Sequence, residues 1–99
     1  MPFLFVAGLI SCVSALYLPT QQDADAQQVS LATLQEGRTL YQNRCASCHN
    51  LSLPSSYTKR EWAPILDRMQ KPAKIDEAQK ALIAGYLVAG SKKEHLTEK

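Results

Sequence analysis

No charged residue occurs before Asp23; the eleven Lys and Arg and the nine Asp and Glu of this 99-residue chain all lie at that position or later. The absence divides the chain into an apolar leader, residues 2–19 (PFLFVAGLISCVSALYLP), and a water-compatible remainder. An excess of one sign is missing too. The formal balance is +2, which excludes nucleic-acid binding driven by bulk charge. No stretch alternates apolar and polar residues as a half-buried strand would, and no segment repeats. The length allows one small domain. Residues able to do metal or redox chemistry are few: Cys12, Cys45, Cys48, His49, His95, Met1 and Met69.

The leader resembles the apolar region of a secretory signal, although it opens on MPF without the usual Lys or Arg. Three outcomes compete. Residues 9–12 (LISC) resemble a lipobox, which makes Cys12 the lipidation candidate. An uncleaved anchor is the second, slightly short of the ~20 apolar residues a spanning helix needs. Ordinary cleavage after Ala15 or Ala26 is the third. Each exports the rest of the chain. Residues 20–30, rich in Gln and Asp, read as a flexible polar linker.

Beyond the linker the patterns are helical. Residues 30–44 carry Leu34, Gly37, Leu40 and Tyr41 on one face, with Ser30 as N-cap. Gly37 is either a tolerated interior glycine or the place where another helix crosses closely. Residues 50–57 form a loop. Thr58 and Glu61 make a capping box, with Tyr57 and Trp62 at the staple positions, and open a helix to about Gln70. Pro64 requires that this helix start late or distort in its first turn. Trp62, Ile65, Leu66 and Met69 share one side. Lys71 to Ile75 form a break, and Asp76 with Gln79 caps a last helix that ends at Gly90. The tail, 91–99, is charged and frayed. The fold class is therefore all-α, with three short helices over 31–90. That is too little apolar material for a comfortable core without a staple or cofactor.

The pentad Cys45-Ala46-Ser47-Cys48-His49 is the candidate staple. A thiol redox pair usually opens a helix beside a βαβ pattern, which is absent. A structural zinc site needs four ligands, and only His95 stands as a distant fourth. A disulfide between Cys45 and Cys48 closes too small a loop to stabilise much. Covalent haem attachment accounts for every residue: the two thiols add to the porphyrin vinyl groups and His49 supplies the proximal imidazole. One haem c is implied, and it provides the missing core.

A distal ligand must reach the iron without ionising. Met69 lies on the apolar side of its helix, and His95 lies in the charged tail. Met69 is then either a distal thioether or a core gap-filler. Trp62 lines the crevice or simply packs in the core.

The order of GRTLYQNRCASCH, a loop, REWAPILDRMQ and DEAQKALIAGYL resembles a bacterial class I-type monohaem cytochrome c, in a compact subgroup with a Trp helix and an Arg-Met pair soon after the haem motif. The resemblance covers 31–90. It implies a small cytochrome c-like helical domain wrapped around haem, crossing of the first and last helices, thioethers at Cys45 and Cys48, His49 as the proximal ligand and Met69 as the distal ligand.

The leading expectation is a one-electron carrier rather than an enzyme: exported, periplasmic, membrane-associated through Cys12 or an anchor, and shuttling between redox protein partners. Residues 59–74 carry five Lys/Arg against Glu61 and Asp67, a docking surface for an acidic partner or a solvated helix face. The alternatives are a haem-bearing accessory subunit of a larger oxidoreductase, or an open-site haem sensor if Met69 is not a ligand.

Overall fold

Among the described residues, each of the four α-helices starts at a side-chain oxygen placed to accept its otherwise unsatisfied amides. The computed structural model describes residues 16–45 and 51–94; Cys12, Cys48, His49 and His95 lie outside the described residues. Thr20 caps α1 (Gln21–Gln27), Ser30 caps α2 (Leu31–Leu40), Thr58 caps α3 (Lys59–Ala73) and Asp76 caps α4 (Glu77–Gly90). In α1, α3 and α4 the third residue answers with its own side chain, completing a capping box. A π-helical turn, Tyr41–Cys45, extends α2, and a 3-10 turn, Pro54–Ser56, leads into α3. Among the described residues there is no strand. One isolated bridge pairs Thr58 with Lys92. The fold is all-α, as expected, with α1 added to the three expected helices.

The core lies between α2, α3 and α4. Leu34 and Tyr41 enter from α2 and its extension, Trp62 and Leu66 from α3, and Ile83, Tyr86 and Leu87 from α4, all at 5% exposure or less. Gly37 decides how closely α2 and α4 approach. A Cβ there would collide with the Leu82 carbonyl oxygen and lie 3.0 Å from the Tyr86 Cβ. Of the two readings of Gly37, the close crossing is the one the structure bears out.

α3 runs longer than expected. Pro64 and Pro72 both lie inside it, exposed, and the helix continues from Lys59 to Ala73. Each proline removes one ladder bond. The gain at both ends offsets that loss. At the start, the rings of Tyr57 and Trp62 meet at 5.0 Å as a staple. At the end, Lys74 adopts the left-handed conformation (φ 58°). Its amide donates to Lys71, and the Ile75 amide reaches back 3.2 Å to the Gln70 carbonyl. This Schellman closure delivers Ile75 into the core at 6% exposure.

Residues 16–19, from the expected leader, and 20–28, from the expected flexible linker, together form a docked strap. Leu16 and Ala24 are buried. The Tyr17 carbonyl accepts from Tyr86 Oη at 2.7 Å and from Arg38 Nε at 3.1 Å, and Gln27 Nε2 donates to the Gly85 carbonyl at 2.9 Å. The Tyr17 hydroxyl donates to Asp23 at 2.6 Å. The Tyr17 ring occupies the space a side chain would need at Gly90. The beginning of the tail is also tied: the Lys92 amide donates to the Tyr57 carbonyl, and Arg60 pairs with Glu94 at 3.0 Å. No helix among the described residues is long and apolar enough to cross a membrane.

Gly37→Ala is expected to lower unfolding free energy by about 1–3 kcal/mol, since the atom it meets is backbone and cannot rotate away. Lys74→Gly is expected to raise it by about 0.5–1 kcal/mol by relieving the left-handed lysine. Denaturant titrations of the two variants beside the wild type check both signs.

Candidate functional site

The α2 helix widens into the π-helical turn one residue before Gln42 and three before Arg44, and ends on Cys45. Such turns are rare and concentrate at functional positions. Here the turn leaves Cys45 half-buried and packed against the core cluster that contains Tyr41, Trp62, Leu66 and Tyr86. The chain then passes through Ala46, Ser47, Cys48, His49 and Asn50, outside the described residues, and resumes at Leu51.

Two aromatic residues hold the returning chain. Tyr41 Oη donates to the Ser52 carbonyl at 2.6 Å. Trp62 Nε1, fully inside, donates to the Pro54 carbonyl at 2.9 Å. The two rings meet edge to face at 6.2 Å, and Tyr41 also leans on Tyr86 at 6.1 Å. The loop after the pentad is therefore pinned at both ends of a short stretch by side chains from α3 and from the turn that carries Cys45. Trp62 is a packed core residue whose indole N–H has found a backbone acceptor. The role of Tyr41 beyond its place on the apolar stripe was not legible, because its partner is a carbonyl eleven residues away.

Burial pushes the Tyr41 hydroxyl well above the usual tyrosine range, and nearby Cys45, Tyr86 and Tyr57 push it further. Burial likewise raises Tyr86.

Met69 lies on the expected side of α3. Trp62 and Leu66 on that side are buried, while Ile65 and Met69 are half-buried at its edge. Ile65, Cys45, Leu51 and Tyr57 all pack against the same core cluster. Among the described residues no polar or charged side chain is buried. An apolar wall with a thiol and a thioether at its margins fits a large apolar ring with soft sulfur chemistry, which is what a haem bound through Cys45 requires.

A protein-family model described as dihaem cytochrome c matches residues 41–99. The chain belongs to this family. The match begins at Tyr41, at the head of the π-helical turn, and takes in the pentad, α3 and α4. The protein is thus a c-type cytochrome, and its chemistry is haem-based electron transfer. The family's description says dihaem, where the resemblance read from sequence pointed to a monohaem type; the given sequence has one Cys-x-x-Cys-His pentad. No curated protein matches the chain, and no solved structure does.

Because the Tyr41 hydroxyl is held neutral above its usual value of 10.0, the stability it contributes is present below pH 10 and is lost as pH rises through the higher folded value. Tyr41→Phe is expected to cost about 1 kcal/mol at neutral pH through the lost bond to Ser52. The same variant should lose less stability between neutral and strongly alkaline pH. Melting curves across that range check both.

Proposed function

We propose that the chain is an exported one-electron carrier holding a single haem c, with thioether bonds at Cys45 and Cys48, His49 as the proximal ligand and Met69 as the distal ligand. The observation that carries the distal assignment is the position of Met69, half-buried at the edge of the apolar side of α3 that also presents Trp62, Ile65 and Leu66. Met1 belongs to the apolar leader, and His95 lies in the charged tail.

The haem, when bound, supplies the iron that takes up and gives back one electron. The protein's part is positional and dielectric. Cys45 and Cys48 fix the ring to the end of α2, so it cannot leave during turnover. Tyr41 and Trp62 pin the chain where it resumes after the pentad, at Ser52 and Pro54. With His49 and Met69 both bound to the iron, no position would be left for oxygen or peroxide, and a thioether would favour the reduced state. Both effects suit a carrier rather than an enzyme. Arg68, Lys71 and Lys74 stand exposed at the Met69 end of α3 and offer a docking surface to an acidic redox partner.

The apolar leader supports export, with the domain held at a membrane through lipidated Cys12 or through the uncleaved leader itself. The strap bears on processing: cleavage after Ala26 would discard Leu16, Tyr17 and Ala24, which are built into the fold. A cut upstream of Leu16 leaves them in place.

A second reading rests on the family's description. A description as dihaem suits a haem-bearing accessory subunit whose haem exchanges electrons with a second haem in a larger oxidoreductase. A complex that stays together through purification in detergent favours that reading over a diffusing carrier.

The oxidised wild type is expected to show a weak absorption band at the red end of the visible spectrum, and Met69→Ala to lose it. Reduced wild type is expected to leave carbon monoxide unbound at neutral pH, and reduced Met69→Ala to bind it rapidly. Rapid binding by the wild type would remove Met69 from the iron and favour an open-site sensor.

A further inference from the structure

Seven of the eleven basic residues fall into two groups at the ends of α3. One group, Arg68, Lys71 and Lys74, lies beside Met69. The other group lies at the far end. Lys59 and Arg60 from the start of α3, with Lys92 and Lys93 just beyond α4, rim an open groove floored by Ala63 and Val88. Lys59, Arg60, Lys92 and Lys93 are exposed. Among the described residues that line it, Glu94 is the one carboxylate, and it is engaged by Arg60 at 3.0 Å. Ten residues of helix separate Lys59 from Met69, roughly 15 Å along the axis, so this groove belongs to a different face from the distal ligand.

The strap enters the fold at this same end. The Tyr17 ring lies against Gly90, between the groove residues Ala89 and Ser91. Lys93 is near enough to Asp23, the partner of the Tyr17 hydroxyl, to help pull its carboxyl down. Leu18, next in the chain, is 66% exposed. Tyr17 and Leu18 belong to the uncharged leader, residues 2–19, of which 16–19 are among the described residues. The place where the leader meets the domain and the place where four cations stand are therefore the same end of the molecule.

We propose that this end, Lys59, Arg60, Lys92 and Lys93 together with exposed Leu18, is a membrane-docking surface that rests on anionic lipid headgroups and turns the Met69 end toward the aqueous phase. The proposal rests on the reading that the leader holds the domain at a membrane. A single apolar attachment would leave the domain free to tumble on a short tether. Basic residues at an anionic surface supply a second attachment and with it an orientation. An acidic protein is the competing occupant, but nothing in its chemistry requires the groove to lie where the leader emerges.

The test uses the full-length holoprotein reconstituted in two kinds of vesicle, phosphatidylcholine alone and phosphatidylcholine mixed with phosphatidylglycerol, with an amine-acylating reagent and peptide mass analysis of each lysine. Lys59, Lys92 and Lys93 are expected to label about fivefold more slowly on the anionic vesicles, and the protection should disappear at about 0.5 M salt. Lys71 and Lys74 should label alike on both. In Lys92→Glu/Lys93→Glu, Lys59 should lose its protection. Equal labelling on the two vesicles, with the protein floating on both, would overturn the docking surface and leave the membrane anchor standing. A protein that floats with neither vesicle overturns both.

Discussion

Gly37 has no side chain, and the Leu82 carbonyl of α4 occupies the space where one would be. That contact sets the distance between α2 and α4, and the other elements take their positions from it. Tyr41, one turn further along α2, is brought against Tyr86, and Tyr86 in turn reaches across to hold the Tyr17 carbonyl of the strap. The same closeness aims the end of α2, where Cys45 sits, over the side of α3 that carries Trp62 and Leu66. A larger residue at position 37 would separate the helices and loosen the strap, the loop tie and the sulfur margin together.

The described core has an uneven finish that a covalent group would complete. Its centre is tight: Ile83, Tyr86 and Leu87 have no measurable exposure. Its edge is open at Cys45, Leu51 and Ile65, all half-buried. A domain of this size lacks spare apolar surface. An apolar ring bonded to Cys45 and Cys48 would cover that edge, so one group would serve both folding and chemistry. The strap adds a second supplement by bringing Leu16 and Ala24 onto the helices from outside the region of the family match, 41–99.

Much of this was legible in the residues. Thr58 with Glu61 and Asp76 with Gln79 announced two helix starts, because a capping box is a local device whose partners are three residues apart. Gly37 on the apolar stripe left two readings open, a tolerated interior glycine or a close crossing, and only the packing decided between them. The end of α3 was misplaced because Pro72 reads as a stop. Its cost is offset by a closure around Lys74 and by burial of Ile75, a tertiary event with no local sign. The strap was misread for the opposite reason. Thr20 and Asp23 carry a capping signal, but the surrounding Gln and Asp resemble a linker, and Tyr17 was hidden inside an uncharged run. The bonds from Tyr41 to Ser52 and from Trp62 to Pro54 end on carbonyls, which no side-chain pattern reveals.

The central claim is that this chain closes its small helical core with one haem bound through Cys45 and Cys48. The most direct measurement is the haem-to-protein ratio of the purified protein, combined with the mass of the tryptic peptide 45–59. The account requires one haem per chain, carried on that peptide and resistant to acid extraction. A peptide of unmodified mass, or a ratio of two haems per chain, would contradict it.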